Sequence, residues 1–195
     1  MNPVSNLLTG WVVANTANLT PRDRALVTLA GVVPDIDGLG VVAVILTEHT
    51  DSPLLWYSQY HHVLCHNLGF GLLLVVTATL FAIRRWMKAF LVLVIFHLHL
   101  LGDLVGSRGP DGYQWPIPYG APFSDRWKFI WTGQWELNAW PNVLITGLLL
   151  AATIYIAWKK GCSPLEMVSK RADSAFVSIL RRKSGKPVGS RERCN

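Results

Sequence analysis

Long apolar segments constrain this chain more than any other feature of its sequence. Three of them, residues 64–83, 89–105 and 141–158, approach the roughly 20 residues that a membrane-spanning helix needs. Residues 25–46 form a run of similar length that two aspartates interrupt, and residues 6–19 are at the limit between a tilted span and a half-inserted helix. The pattern predicts an all-α integral membrane protein, a bundle of four to five spanning or half-spanning helices.

The composition agrees with a membrane protein rather than a soluble domain. The 195 residues are 51% hydrophobic and 15% charged, whereas a soluble domain carries about 25% charged residues. The chain has room for one compact bundle and is too short for a second sizeable domain. No P-loop, Rossmann or nucleophile-elbow signature competes with the membrane interpretation.

The placement of basic residues predicts the orientation in the membrane. Basic residues lie between the first two apolar segments, between the 64–83 and 89–105 segments, and after the last segment: Arg22, Arg24, Arg84, Arg85, Lys88, Lys159 and Lys160. The positive-inside rule places all three positions in the cytoplasm. The connection 106–140 then faces outward, and its many aromatic residues and its prolines predict an ordered interfacial loop rather than another helix.

Residues 161–195 differ in character from the membrane-embedded domain 1–160. Ten of the eighteen basic residues lie from Lys159 onward. Apolar residues recur there at helical spacing: Leu165, Val168, Ala172, Phe176 and Ile179. We expect a cytoplasmic amphipathic helix on the anionic inner leaflet, with residues 184–195 disordered. A protein partner for this tail is the alternative, and a nucleic-acid partner is less favoured.

Ionisable residues inside the apolar runs indicate a functional site, because such residues are costly in a membrane. They form three clusters: Asp35 and Asp37; His61, His62 and His66; and His99 and Asp103. If the second and third long segments fold as an antiparallel hairpin, His66 comes level with Asp103. The clusters therefore converge near one face of the membrane.

Helical spacing ranks the histidines as candidate ligands. His99 and Asp103 are four residues apart and share a helix face, whereas His97 points to the other side. We expect His99 to be a ligand and His97 to hydrogen-bond between helices. His62 and His66 share a face on a continuous helix, and His61 converges with His66 only if the helix begins after His61.

The two aspartates lie beside Pro34 and nearby glycines, in a stretch that we expect to be unwound. One carboxylate there would bind a metal ion while the other orients a histidine. Mixed imidazole and carboxylate ligands suit Zn²⁺, and also Mn²⁺ or Fe²⁺. Such a site with an open position activates water. The alternative for each residue is an interhelical hydrogen bond, which predicts a structural site without catalysis.

Four motifs in order resemble the YdjM-type family of bacterial membrane-bound metal-dependent hydrolases, also described as LexA-binding inner-membrane hydrolases. They are Pro-Asp-Ile-Asp at 34–37, His-His-Val-Leu-Cys-His at 61–66, His-Leu-Leu-Gly-Asp at 99–103 and Trp-Pro at 115–116. The resemblance covers roughly residues 5–122. It departs at Asn6, where the family tends to have histidine, and at Gly106, where it has threonine.

The resemblance implies a metal and catalytic set of Asp35, Asp37, His61, His66, His99 and Asp103, and so favours His61 over His62 as a ligand. We expect Asp35, His61, His66, His99 and Asp103 to bind the metal ion, with Asp37 or His62 as general base or second-sphere residue. The predicted function is hydrolysis of a phosphoester or lipid-linked substrate in a multi-pass inner-membrane protein. The alternative is a non-catalytic membrane protein whose tail binds a cytoplasmic partner.

Overall fold

The computed structural model describes residues 1–80, 85–109 and 112–183 of the chain. Within these residues every regular element is helical. The α-helices are α1 (Pro3–Ala14), α2 (Pro21–Ala30), α3 (Gly40–Thr47), α4 (Trp56–Tyr60), α5 (Leu68–Leu80), α6 (Arg85–Gly106), α7 (Trp140–Lys160) and α8 (Lys170–Lys183). Two 3₁₀ segments, Val33–Leu39 and Pro164–Met167, precede α3 and α8. The expectation of an all-α protein is confirmed for the described part of the chain.

Two helices are long and apolar enough to cross a membrane. They are α6 and α7, and a third span results if α2 and the segment Val33–Thr47 are taken as one span bent by 47°. Helix α1 has 12 residues and the described part of α5 has 13, which is fewer than the roughly 20 that a full crossing needs. The described residues thus support a membrane protein with two to three candidate spans, and the predicted count of four to five is not confirmed.

Helix α5 begins four residues later than the apolar run predicts. Asn67 caps it, since Asn67 Oδ1 accepts a hydrogen bond from Phe70 N at 2.9 Å. The Asn67 amide also donates to the carbonyls of Val63 and Leu64, which holds the preceding turn closed. Residues 61–67 are therefore a turn rather than the start of a helix. The predicted end of this run, at 81–83, lies outside the described residues.

Two of the cations used to predict the orientation are internal to the fold. Lys88 does not lie in a loop, because α6 already begins at Arg85, and its ammonium group is fully buried against Asp23 of α2. Arg24 is also buried and binds Glu166 through two contacts, Nε–Oε1 at 2.6 Å and Nη2–Oε2 at 3.1 Å. Buried charges need such partners, so these residues join helices to one another. Arg84 lies outside the described residues.

Helices α1, α2 and α6 pack closely around Gly31, which follows α2. A Cβ atom at Gly31 would lie 2.8 Å from the Asn6 carbonyl oxygen and 3.0 Å from Ile95 Cγ1. Only glycine permits this approach without displacing α1 or α6. A core of small and branched residues fills the space between the helices: Ala14, Leu19, Val27, Ala30, Ala78, Leu91, Val92 and Ile95. The close packing brings the backbone at Gly31 to the polar face of α6.

The connection between α6 and α7 is an ordered loop in its described part. Its described residues form no helix, and they contain two isolated bridges, Arg108 with Glu136 and Ile117 with Phe129. Beyond α7 the chain folds back on the bundle. Arg181 of α8 donates to the Trp158 and Lys159 carbonyls at 3.0 and 3.1 Å and so caps the end of α7. The predicted disorder of 184–195 lies outside the described residues.

Candidate metal centre

Helix α6 contributes His99 and Asp103, which stand one turn apart on the same face. His99 Nδ1 donates to the Gly31 carbonyl oxygen at 2.9 Å. This bond directs His99 Nε2 to Asp103 Oδ2, 3.0 Å away. His97 lies on the other face, where its ring nitrogens contact the Leu93 carbonyl and the Tyr119 hydroxyl. Outside its own helix, His97 therefore contacts the loop after α6 and not another helix. The His97 side chain is exposed.

The turn 61–67 contributes His66, which is completely buried. His66 Nδ1 donates to Asp37 Oδ2 at 3.0 Å. On the other edge of the ring, Nε2 lies 3.2 Å from Asp103 Oδ2 and 3.0 Å from His99 Nε2. The turn and α6 thus bring His66, His99 and Asp103 into contact. An antiparallel hairpin of the second and third long apolar segments predicts this proximity of His66 and Asp103.

The 3₁₀ segment Val33–Leu39 separates the two aspartates. Asp35 Oδ1 lies 3.7 Å from His99 Nε2, and its Oδ2 accepts a hydrogen bond from Asn6 Nδ2 at 3.0 Å. Asp37 faces the turn instead: its Oδ1 accepts from His61 Nδ1 at 3.0 Å, and its Oδ2 accepts from His66 and from the Cys65 backbone N at 3.2 Å. Asp35 therefore lies beside His99, near Asp103, whereas Asp37 orients His66 by accepting a hydrogen bond from its Nδ1.

Four residues offer ligand atoms that all lie within 4.8 Å of one another: Asp35, His66, His99 and Asp103. We call these four residues the His/Asp group. Both histidines use Nδ1–H as a donor, so on a neutral ring the Nε2 atoms carry lone pairs. These lone pairs and the carboxylate oxygens face one another. Asp103 Oδ2 is buried and accepts no well-formed hydrogen bond from the described residues, so the group needs a proton or a cation at its centre.

The electrostatics of His66 show the same need for positive charge. Burial alone would lower the pKa of His66, but the neighbouring carboxylates of Asp103 and Asp37 outweigh it and raise that pKa to about 9, so a metal ion would displace a proton from this ring. The amino group of Met1 also contacts Asp103 Oδ1. Two imidazole nitrogens and two carboxylates at this spacing suit a divalent transition metal such as Zn²⁺. The donor set thus fits the ion that the resemblance implies.

The other two predicted histidines lie beside the His/Asp group but do not belong to it. His61 binds Asp37 and stacks on Tyr57 with ring centroids 4.6 Å apart. His62 is buried, and its Nε2 lies 4.0 Å from Asp103 Oδ2. His62 and His66 do not share a helix face, because residues 61–67 form a turn that places His62 in the left-handed region at φ 63°. His61, which the resemblance favours as a ligand, is not among the four residues.

His62 has features that are unusual for a structural histidine. Its Nδ1 is buried without a hydrogen-bond partner in the described part of the chain. Burial lowers the pKa of His62 to about 3, so the ring is neutral near pH 7. A non-glycine residue in the left-handed region is uncommon, and such conformations concentrate at functional sites. His62 is thus a neutral base next to the candidate metal ligands.

Two further residues shape the site, and the sequence indicates them only weakly. Asn6 is buried, donates to Asp35, and has an amide oxygen without a partner among the described residues. The departure from the family pattern at position 6 is therefore a change within the site. Gly31 supplies the acceptor for His99, and no motif marks it. A glycine directly after a helix is ordinary, so the sequence does not distinguish this role.

The His/Asp group lies close to one end of a candidate span. Asp103 is three residues before the end of α6 at Gly106, which is about 5 Å along the helix axis. His99 is one turn deeper. Beyond Gly106 begins the aromatic loop, whose Trp115 contacts the rings of His61 and His62 at centroid distances of 5.5 and 5.3 Å. The loop therefore covers this end of the bundle.

Comparison with known families gives a match over most of the chain. The model of the family described as YdjM inner membrane protein matches residues 1–168, which include the three ionisable clusters and the Trp-Pro pair. This match confirms the resemblance that the motifs indicate. Neither curated proteins nor solved structures give a match to the chain.

Proposed function

This chain belongs to the YdjM inner membrane protein family, and we propose that its His/Asp group binds a divalent metal ion, best Zn²⁺, to hydrolyse a phosphoester or lipid-linked substrate. The observation that carries the proposal is the set of lone pairs that converge on one point. Two imidazole nitrogens and two carboxylates face one another within 4.8 Å in a buried space. When bound there, such an ion supplies a Lewis acid and an acidified water molecule.

The surrounding residues fix the ligands before any ion binds. The Gly31 carbonyl selects the tautomer of His99, and Asp37 selects the tautomer of His66. Such outer partners orient ligating histidines and raise their basicity. We assign His61 to the same support, since it binds the second oxygen of Asp37. This hydrogen bond from His61 limits the rotation of the Asp37 carboxylate.

We propose His62 as the general base, in preference to Asp37. Both carboxylate oxygens of Asp37 are engaged with His61, His66 and the Cys65 backbone. His62 is neutral and next to Asp103, and its Nδ1 accepts no bond from the described residues. A base must be free to take a proton at the operating pH. The unpartnered Nδ1 of the neutral His62 ring, as seen among the described residues, carries this assignment.

The position of the site supports the proposed substrate class. A group one turn below the end of a candidate span, beneath an aromatic loop, is reached through the interface between lipid and water. Trp and Tyr side chains favour that depth. Amphiphilic molecules concentrate at the same depth, so a lipid-linked ester or phosphoester meets the site more readily than a polar cytosolic solute.

A substrate panel with three variants tests the activity. The protein in detergent, loaded with Zn²⁺ or Mn²⁺, is assayed on phosphomonoesters, phosphodiesters and carboxyl esters. We expect turnover that His99→Ala abolishes and His62→Gln reduces at least a hundredfold. His97→Ala serves as the matched control because it lies on the opposite face of α6 and keeps most of the activity. Metal-loaded protein that hydrolyses nothing in the panel would instead favour a structural metal site.

We propose a second contact with the membrane through helix α8. Val177 of this helix packs inward, whereas Phe176, Ile179 and the preceding Val168 are exposed. Exposed cations, including Lys170 and Arg171, flank these apolar residues. Anionic lipid headgroups complement such a surface.

A spin label at Ile179→Cys in nanodiscs tests this contact. We expect protection from a water-soluble relaxation agent in discs that contain phosphatidylglycerol, and less protection in pure phosphatidylcholine. A label at Ser174→Cys, an exposed position elsewhere on α8, is the control. Equal exposure of the two labels in both lipids would contradict a lipid-bound helix.

A further inference from the structure

A cleft of about 590 Å³ opens between the aromatic loop and α4. Its lining combines one cation with aromatic and aliphatic side chains: Tyr57, Ser107, Arg108, Tyr113, Trp115 and Leu137. None of these residues belongs to the His/Asp group. The cleft is therefore a separate binding space with a chemistry of its own.

The cleft and the candidate metal centre share a wall. Trp115 contacts both His61 and His62, and Tyr57 stacks on His61. At the base, Ser107 Oγ donates to the Asp103 carbonyl oxygen at 2.6 Å. A molecule bound in the cleft would thus be separated from the candidate metal centre by the side chains of this shared wall.

Arg108 supplies the positive charge of the cleft and has donors to spare. Its Nε is buried and has no hydrogen-bond partner in the described part of the chain. Its Nη2 makes a single 3.3 Å contact with Glu136 Oε1, and both side chains of this pair are more than a third exposed. A guanidinium group offers five N–H donors, and a buried donor without an acceptor costs free energy. The buried Nε presents no surface to a ligand, so an anion in the cleft would accept from the exposed Nη groups of Arg108.

The remaining wall suits an apolar group. Tyr113 and Trp115 meet edge to face with centroids 5.1 Å apart. Leu137 faces the same space, and about half of its surface is exposed, as is that of Tyr113. Exposed aromatic and aliphatic side chains beside a cation form a surface with one charged end and one apolar end. A ligand that matches it has an anionic group joined to a ring or a hydrocarbon chain.

We propose that this cleft binds a phosphate monoester with an apolar substituent, the phosphate on Arg108 and the substituent against Tyr113, Trp115 and Leu137. A phosphate monoester carries about −1.5 to −2 charge at pH 7 and three strong acceptor oxygens. It therefore competes with the single carboxylate of Glu136 better than a carboxylate ligand does, and arginine holds it through two parallel bonds. That this ester is the substrate rests on the proposed function, whereas its binding does not.

Calorimetric titration of the full chain in detergent with EDTA tests the proposal without any metal. The probes are phenyl phosphate, dihexanoylphosphatidic acid and inorganic phosphate, each corrected with a micelle blank. We expect the two esters to bind, and Arg108→Gln to weaken both at least tenfold. Arg126→Gln, an exposed arginine in the same loop, is the matched control and leaves both affinities unchanged. Tyr113→Ala should weaken the esters more than it weakens inorganic phosphate.

The outcomes separate the sources of the ligand and the two proposals. Tighter binding of the phosphatidic acid supports a lipid ligand, and tighter binding of phenyl phosphate supports a soluble one. Ester binding that Arg108→Gln leaves intact, inorganic phosphate that binds as tightly as the esters, or no binding at all would overturn the inference. Because EDTA removes metal, a failure here leaves the hydrolase proposal standing, and a failed substrate panel leaves this binding site standing.

Discussion

Substitution of Asp37 tests how the His/Asp group is held. Three donors converge on its carboxylate: His61 Nδ1 on Oδ1, and His66 Nδ1 with the Cys65 backbone N on Oδ2. In Asp37→Asn one oxygen becomes an amide nitrogen, which cannot accept. We expect the amide to keep its oxygen toward His66 and Cys65, where two donors lie, and to lose the bond to His61.

The size of the effect follows from this arrangement. Loss of an outer partner of a ligating histidine typically costs 10–100-fold in metal affinity, or about 1.4 to 2.8 kcal/mol. Asp37→Asn loses the charge but keeps the orientation of His66, so we expect about a tenfold weaker affinity. Asp37→Ala loses both, so we expect about a hundredfold. Each variant should still bind one ion per chain at saturation.

Competition with a chromogenic zinc chelator in detergent measures both affinities. Asp125→Asn, an exposed aspartate of the loop, is the control and should match the parent chain. Equal helicity by circular dichroism confirms that the variants are folded. Affinities unchanged by both Asp37 substitutions would refute the supporting role. A loss of saturable binding in Asp37→Asn would show instead that Asp37 is itself a ligand.

Three further predictions concern the fold. Lys88→Met should lower the free energy of unfolding by about 3 to 5 kcal/mol, because it leaves Asp23 buried and unpaired. In thermal unfolding, the double variant with Asp23→Leu should regain most of that loss. A double variant that regains no stability would contradict the pairing of Lys88 with Asp23. Gly31→Ala should destabilise the fold by about 1 to 3 kcal/mol through overpacking. Gly147→Ala is the control and should not destabilise the fold, because a Cβ atom there meets nothing within 4 Å. Equal effects of the two substitutions would refute the close approach at Gly31. An impermeant maleimide should label Asp125→Cys but not Arg182→Cys in intact cells, and the reverse result would invert the orientation.

The sequence predicted the helical class and the convergence of the polar clusters for physical reasons that act locally. Apolar length identifies helices such as α6, and the four-residue spacing of His99 and Asp103 fixes their shared face on it. The separate behaviour of His97 follows from the same period. These inferences need only a regular helix, and α6 is regular over its whole length.

The turn 61–67 could not be predicted in the same way. Its conformation depends on the cap at Asn67 and on the bonds from Asp37, a residue that is distant in sequence. The burial of Lys88 also depends on a partner in another helix, so a rule based on sequence position alone places it in a loop. The acceptor at Gly31 is a backbone atom, which no side-chain motif reveals.

The metal content of purified protein tests the central claim most directly. The protein is isolated in detergent, equilibrated with Zn²⁺, desalted and analysed by mass spectrometry for metals. We predict about one ion per chain for the parent and for His97→Ala, and loss of most of it in His66→Ala and Asp103→Ala, since few ligands hold the ion. Metal content that stays the same in His66→Ala and Asp103→Ala would contradict a metal centre at the His/Asp group.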